Sequence, residues 1–212
     1  MASKRRKNST KFKWTKELFF LIIALVAIIT TTVVLSIPSA KEKYTAEINE
    51  AITLANSANS ESGTSYNTIP ADNVFVEVNH KKLVDKIKNE EYVYVLYGSL
   101  NNSTLLGNLY GINLLCTDEE IKNVYIYSSL WVEETDDYET ETFKEKQNSI
   151  EADINANKDK DVKEFSVLTY PAILVFNNGK LIFNSQGYED IKDQVNWSNY
   201  IQKAFMLSKN NE

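Results

Sequence analysis

Residues 167–187 read VLTYPAILVFNNGKLIFNSQG, and this stretch decides the fold. Residues 172–176 are a short, unbroken apolar run, which is typical of a strand buried on both faces. Asn178 and Gly179 tolerate positive φ and therefore predict a tight hairpin turn. Residues 181–183 return as the partner strand. Pro171 precedes the first strand, where its missing N–H costs the sheet little, and Gly187 closes the stretch.

Strands and helices alternate ahead of this hairpin. Apolar runs predict strands at 74–78, 92–97 and 124–127. Helical spacing predicts helices at 80–88, from 103 to about 114, over about 137–157 and near the C-terminus, with Asn79 capping the first. The order βαβαβα-ββα implies a parallel sheet with an antiparallel edge, covered by helices on both faces. The sequence therefore predicts an α/β fold, a three-layer α/β sandwich.

This element order and the Tyr-Pro, strand, Asn-Gly, strand, Gly arrangement resemble the thioredoxin family. The resemblance covers about residues 72–207 and is most specific at 167–187. It implies a thioredoxin-like sandwich in which Pro171 is cis and faces the position of a Cys-x-x-Cys pair. Bacterial thioredoxin-like accessory proteins, including those tied to bacteriocin export, look similar in outline, with an anchor, a linker and an acidic insert.

The residues at the family's redox positions carry no sulfur. Counting forward from Gly98 places Asn102 and Leu105 at the two cysteines, and Leu96 at the family's buried acid. Disulfide exchange needs one thiol to attack and a second to resolve. Asn102 is instead a good helix N-cap. The resemblance thus implies a redox-inactive domain, and we expect no catalytic residue, metal or cofactor.

The resemblance also suggests a peptide-binding site. Thioredoxin-fold proteins hold extended peptides beside the residue that precedes the cis-proline, which is Tyr170 here. We hypothesise a cleft with Thr169, Tyr170 and Pro171 as one wall and Asn102 with Leu105 as the other. The Tyr170 ring either covers a bound chain, which we favour, or closes the cleft on Leu105. The plainer alternative is that Pro171 only shapes the turn.

An uncharged stretch of 20 residues occupies positions 18–37. Its length matches a hydrocarbon core of about 30 Å, which predicts a transmembrane helix. Seven cations precede it: Lys4, Arg5, Arg6, Lys7, Lys11, Lys13 and Lys16. The positive-inside rule then places the N-terminus in the cytoplasm and the body outside. A cleaved signal peptide is the alternative, but its apolar region is usually shorter.

The predicted organisation has four parts. Residues 1–17 are a basic cytoplasmic tail and 18–37 the transmembrane helix. Residues 38–71 are a stalk helix, with apolar residues at helical spacing over 43–55, followed by a flexible polar linker at 56–69. Residues 72–212 are the thioredoxin-like domain, with an acidic helical insert at about 131–165 that reads as a solvated surface or a partner-docking face.

The charge of the body excludes one class of partner. Of 23 Lys and Arg, seven lie in the tail, and of 29 Asp and Glu only Glu17 does, so the remainder carries a net charge of −12. Nucleic-acid binding needs a basic footprint, which this body lacks. We therefore expect a membrane contact through residues 18–37 and a protein or peptide partner outside. The predicted function is non-catalytic binding or assembly in a single-pass cell-membrane protein.

Two other functions remain open at this stage. The single cysteine, Cys116, excludes an internal disulfide. It is either a retained thiol of an oxidoreductase-family protein or a half-buried hydrophobic residue, and its acidic neighbours raise rather than lower a thiol pKa. Asp153, Asn155, Asn157 and Glu164 match the spacing of a calcium loop, which would make the domain a calcium-stabilised module. However, lysine at position 158 replaces the glycine of that loop.

Overall fold

The computed structural model describes residues 16, 20, 23–25, 38–60, 63–187 and 194–206. Internal contacts divide the chain into two units, Met1–Ser39 and Ala40–Glu212, which are described separately. In the first unit, residues 16, 20 and 23–25 are helical. Among the described residues, no helix combines the length and the apolar character needed to cross a bilayer. The predicted anchor at 18–37 lies outside the described residues, apart from positions 20 and 23–25.

The described residues of the second unit form eleven regular elements in an alternating order. The helices are α1 (Ala40–Ala58), α2 (His80–Asn89), α3 (Ser103–Asp118), α4 (Leu130–Glu133), α5 (Glu141–Asn155) and α6 (Gln194–Met206). The strands are β1 (Phe75–Val78), β2 (Tyr92–Tyr97), β3 (Val124–Tyr127), β4 (Ala172–Asn177) and β5 (Lys180–Asn184). A 3₁₀ turn, Ser185–Gly187, follows β5.

The five strands form one mixed sheet in the order β1-β3-β2-β4-β5. Strands β1, β3 and β2 are parallel, whereas β4 pairs antiparallel with both β2 and β5. Tyr97 lies opposite Ala172 at the end of the β2–β4 ladder. The central strands are buried on both faces, as their unbroken apolar runs predict.

Helices cover both faces of this sheet. Along β2 the side chains alternate, with Tyr94 and Leu96 in one apolar cluster and Val95 and Tyr97 in the other. Helices α1, α3 and α6 supply the first cluster, and α2, α4 and α5 supply the second. The prediction of an α/β fold with helices on both sides of a sheet is therefore confirmed.

The hairpin turn follows the sequence signal. Asn178 has φ of 47° and Gly179 has φ of 77°, so both central residues are in the left-handed region. Asn177 pairs with Lys180 across the turn. An asparagine and a glycine are the residues that adopt this conformation at least cost.

Helix α1 differs from the predicted stalk, because it is packed into the body. Its residues Tyr44, Ile48 and Ile52 are buried in the same cluster as α3 and α6. Burial of three large side chains stabilises a docked helix rather than a free one. Helix α1 is therefore a layer of the domain.

The described part of the predicted linker, 63–69, is also held in place. The side-chain amide of Asn49 pairs with both the N–H (2.8 Å) and the C=O (3.0 Å) of Ile69. Asn56 does the same with Tyr66, at 2.7 and 2.9 Å. Composition alone marks this stretch as flexible, but these four hydrogen bonds attach its backbone to α1.

Candidate functional site

The loops that follow β2 and β3 meet at one edge of the sheet. The N–H of Gly98 donates to the carbonyl of Tyr127 (3.1 Å), and the N–H of Ser129 donates to the carbonyl of Gly98 (3.2 Å). Strands β1, β3 and β2 are parallel, so their carboxyl ends share this edge. In open α/β sheets such an edge is the usual place for a ligand.

Gly98 marks the point where the two walls of the predicted cleft approach each other. A Cβ atom at Gly98 would lie 3.3 Å from Leu105 Cδ2 and 3.4 Å from Pro171 Cβ. The peptide bond between Tyr170 and Pro171 is cis, as the resemblance implies. The structure therefore brings together two of the predicted site residues, Leu105 and Pro171, across a single glycine.

Asn102 caps helix α3 as predicted. Its side-chain oxygen accepts a hydrogen bond from the N–H of Leu105 at 3.0 Å. The amide of Asn102 is half-buried and the side chain of Leu105 is fully buried. A neutral amide and an aliphatic side chain offer shape and hydrogen bonding at this position, but no redox chemistry.

Gln186, which sequence reasoning missed, fixes the other wall. Its Nε2 donates to the carbonyls of Ser166 (2.8 Å) and Thr169 (2.6 Å), and its Oε1 accepts from the N–H of Ser166 (2.8 Å). Gln186 is 4% exposed. A lone glutamine after a strand produces no periodic signal, so only the fold reveals that its amide supports the loop before Tyr170.

The backbone of Tyr170 is available for pairing. Within the residues that the structure describes, no hydrogen bond involves its N–H or C=O. Thr169 is exposed, whereas Pro171 is buried. No hydrogen bond crosses the cleft from Asn102 to Thr169 in the described part of the chain. The predicted site thus combines free main-chain groups at Tyr170 with the side chains of Asn102 and Leu105.

The Tyr170 ring turns away from Leu105. It packs edge-on against Tyr97, with ring centroids 6.4 Å apart and planes at 85°. It lies with the cluster under α4 and α5, whereas Leu105 belongs to the cluster on the opposite face. Burial, and then the carboxylate of Glu133, raise the pKa of Tyr170. Of the two orientations expected from sequence, the structure does not show the ring closing on Leu105.

A carboxylate from the acidic insert ties the two loops together. Ser99 Oγ donates to both oxygens of Glu133, at 2.7 and 2.6 Å, and Ser129 Oγ donates to Oε1 at 2.6 Å. Both serines are buried and Glu133 is half-buried. Sequence composition places Glu133 in a solvated cluster, but its carboxylate is an internal support for the edge.

Cys116 lies far from this edge, in the core. It is free and 0% exposed on α3, 11 residues beyond Leu105, which corresponds to about 16 Å along a helix. Burial, and then Glu119, raise the pKa of its thiol to about 12. The neutral thiol packs as a small hydrophobic group, so the structure gives the thiol-based alternative no reactive sulfur at the cleft.

The stretch with calcium-loop spacing is engaged elsewhere. Asp153 Oδ2 lies 2.8 Å from Nε2 of His80. The amide of Asn155, the last residue of α5, pairs with the N–H and C=O of Phe165 at 2.8 and 3.0 Å. The described residues contain no group of three or more His, Cys, Asp or Glu side chains placed to hold a metal ion.

No protein-family model matches this sequence, and no curated protein matches it either. The structure defines a mixed α/β domain in which the buried side chains of Leu105 and Pro171 approach each other across Gly98 at one sheet edge.

Proposed function

We propose that this chain is a membrane-anchored, redox-inactive thioredoxin-like protein, acting as a non-catalytic binding or assembly module at the outer face of the membrane. One observation carries the proposal. Leu105 meets Pro171 at Gly98, at the place where the family resemblance puts a thiol opposite a cis-proline. The chain has this arrangement although Asn102 and Leu105 occupy the two positions that hold cysteines in the thioredoxin family.

The thioredoxin-like assignment is supported by three features of the domain. The element order of 75–206 repeats the order predicted from the sequence, with one additional short helix, α4, between β3 and α5. The proline before β4 follows a cis bond. The helix after β2 begins at a capped N-terminus beside that proline. None of these features requires cysteine, so the domain can bind a partner without thiol chemistry.

The proposed use is capture of an extended peptide. The free N–H and C=O of Tyr170 lie beside the first residue of β4, where an added strand finds main-chain partners. Thr169, Tyr170 and Pro171 form one wall, and Asn102 with Leu105 form the other. The contact is small, so we expect dissociation constants of about micromolar or weaker.

The proposed location follows from the first 37 residues. The uncharged stretch at 18–37 has the length of a bilayer core, and the cations before it favour a cytoplasmic tail. Three large apolar residues described within the stretch, Phe20, Ile23 and Leu25, are helical and exposed by 68%, 49% and 55%. Lipid is the environment that suits such exposed apolar side chains.

The test of the cleft is NMR shift mapping of the full-length chain in detergent micelles with a library of random extended peptides. We expect amide shifts to cluster at 100–106 and 168–171. Tyr170→Ala should change affinity without lowering the melting temperature, and Tyr110→Ala, a half-buried tyrosine elsewhere on α3, should not. If shifts fall on the acidic insert instead, the cleft is not the binding site.

Topology and redox activity are tested separately. Protease added to intact cells should remove the body and spare residues 1–17, whereas a mature N-terminus at or beyond Lys41 would refute the anchor.

The protein should not reduce insulin above background, because positions 102 and 105 lack sulfur. Turnover that disappears in Cys116→Ser would show that the redox site had been misplaced.

A further inference from the structure

A pocket opens where the parallel strands β1 and β3 end and helix α2 begins. It has a volume of about 500 Å³. We call it the α2 pocket. Helix α2 contributes His80 and Lys82 to its lining, and the acidic insert contributes Trp131 and Lys146. None of the predicted peptide-binding residues is among the described residues that line it.

Two buried polar atoms of this lining have no hydrogen-bond partner in the described part of the chain. They are Nδ1 of His80 and Nε1 of Trp131. Most buried polar side-chain atoms in proteins are paired with the protein or with ordered water. Because an unpaired buried polar atom costs free energy, a ligand that pairs with both atoms gains affinity at this place.

The two atoms need opposite kinds of partner. An indole N–H only donates, so Trp131 requires an acceptor. Nε2 of His80 lies 2.8 Å from Oδ2 of Asp153. Because an ionised carboxylate only accepts, Nε2 carries a hydrogen, and in the neutral imidazole Nδ1 is then an acceptor that requires a donor. A ligand that satisfies both atoms must therefore present an acceptor and a donor together.

The charges of the α2 pocket favour a negatively charged acceptor. Lys82 and Lys146 are exposed, and neither ammonium group makes an ion pair within the described residues. Glu77 is the one acidic residue of the described lining. Helix α2 begins at His80, so the positive end of its dipole adds to the two ammonium groups. The pocket is thus a local exception in a strongly acidic body.

The side chain of Lys146 brings the positive charge and the indole together. Its ammonium nitrogen lies 4.1 Å from the centroid of the Trp131 ring. A carboxylate that pairs with this ammonium is therefore held beside the indole whose N–H lacks an acceptor. Val78 and Tyr127 also line the pocket and add apolar surface. Burial raises the pKa of Tyr127, so its phenol stays neutral and adds no negative charge.

We infer that the α2 pocket receives the C-terminal residue of a partner protein. Such a residue carries both required groups close together, a carboxylate that accepts and a main-chain N–H that donates. The carboxylate pairs with Lys82 and Lys146 and accepts from the indole N–H of Trp131, as the exposed Lys146 side chain rotates to admit it. The main-chain N–H donates to Nδ1 of His80. An apolar side chain lies against the apolar part of the lining.

The experiment uses the full-length, isotope-labelled chain in detergent micelles. The probe is Nα-acetyl-leucine, which has a free carboxylate, a main-chain N–H and an apolar side chain. We expect a saturable shift of the indole N–H signal of Trp131, which Trp131→Phe assigns. The dissociation constant should be about 1 mM, because the ligand is a single residue. Nα-acetyl-leucine methylamide, which lacks the carboxylate, should produce no saturable shift.

Two further probes test the contact to His80. Isocaproate has the same carboxylate and apolar chain but no amide, and Nα-acetyl-Nα-methyl-leucine has the amide without its N–H. Both should bind about threefold to tenfold more weakly than Nα-acetyl-leucine, the range of one neutral hydrogen bond. In His80→Phe the three carboxylates should bind equally, because the acceptor for the N–H is gone.

Charge-removing variants locate the carboxylate. Lys82→Met and Lys146→Met each remove one charge and keep most of the aliphatic stem. Each should weaken binding of Nα-acetyl-leucine about threefold to tenfold. Lys88→Met removes an equal charge from an exposed position of α2 outside the pocket and should leave binding unchanged. Tyr170→Ala should also leave it unchanged, so this site and the proposed peptide site stand or fail separately.

Three outcomes would overturn the site itself. Equal binding of the methylamide would make the pocket a general apolar cleft. Unchanged binding in both Lys82→Met and Lys146→Met would place the probe elsewhere. Binding of inorganic phosphate at least tenfold tighter than Nα-acetyl-leucine would make a phosphate group the occupant.

Two outcomes would overturn the assignment to a protein C-terminus. Equal binding of isocaproate would show a carboxylate site that does not recognise the main-chain N–H. The acetylated tripeptide alanyl-alanyl-leucine presents the same residue at the end of a chain and should bind at least as tightly as Nα-acetyl-leucine. Binding of this tripeptide at least tenfold more weakly would show that the pocket accepts only a small free carboxylate.

Discussion

Replacing Gln186 by methionine is expected to lower the free energy of unfolding by about 3 kcal/mol. The side-chain amide of Gln186 makes three hydrogen bonds of 2.6–2.8 Å to the backbone of Ser166 and Thr169. Each such bond contributes about 1 kcal/mol net, which gives the total. Methionine has a similar length and volume and adapts to its surroundings, so no cavity adds to the cost.

The assay is thermal unfolding of the full-length chain followed by tryptophan fluorescence. For a chain of this size, a loss of about 3 kcal/mol lowers the melting temperature by about 6–12 °C. Gln147→Met is the matched control, because its half-buried amide makes one hydrogen bond of 3.2 Å, within helix α5. That control should lose no more than about 1 kcal/mol.

Hydrogen exchange shows where the loss occurs. The N–H of Ser166 donates to Gln186 and should exchange faster in Gln186→Met. The amides of β4 that pair with β2 and β5 should keep their protection. The reasoning is refuted if the two methionine variants melt at the same temperature, because the loop before Tyr170 would then be held by other contacts.

Four further predictions test the core, the α3 cap and the buried thiol. Ile48→Ala should lower the free energy of unfolding by about 2–5 kcal/mol, because Ile48 is 0% exposed. Leu54→Ala, on the same helix but 65% exposed, should lower it by less than about 0.5 kcal/mol. Equal losses in the two variants would support the interpretation of α1 as a free stalk. Asn102→Ala should lower the free energy of unfolding by about 1 kcal/mol, because the N-cap hydrogen bond of α3 is lost. Urea unfolding measures this loss, and an unchanged midpoint would show that the cap does not stabilise the domain. Cys116 should resist thiol reagents at pH 8 until the protein is denatured, and rapid labelling of the native protein would contradict its burial. Stability should also fall as pH rises from 9 to 12, because the unfolded thiol ionises from 9.0 whereas the folded thiol ionises at about 12.

Local sequence signals were sufficient for the sheet and its turn. Strands β2 and β3 have the predicted bounds, because continuous apolar runs leave no alternative to burial on both faces. Asn178 and Gly179 adopt the expected positive φ. Asn79 and Asn102 cap their helices as predicted. Each of these features depends on a few adjacent residues, which is why the sequence reveals them.

Features that depend on contacts between distant residues were not predictable. Gln186 contacts a loop 17–20 positions earlier in the chain, and Glu133 contacts Ser99 34 positions away. Neither residue differs in type from its solvated neighbours. The same applies to α1, where a few apolar residues at helical spacing fit a stalk as well as a layer of the core. Tertiary packing decides between these alternatives, and composition does not.

The pairing of α1 with the segment at 63–69 has a consequence for how this region tolerates substitution. The side-chain amides of Asn49 and Asn56 form their hydrogen bonds with main-chain atoms of Ile69 and Tyr66. The two amides lie seven positions apart, and therefore about two turns apart on one side of the helix. Ile69 and Tyr66 pack into or against the core, whereas the exposed side chains of the segment are not needed to hold its backbone. Related chains should therefore retain both asparagines, whereas the exposed positions of the segment should vary in sequence. A polar segment of variable sequence can thus still have a fixed backbone conformation.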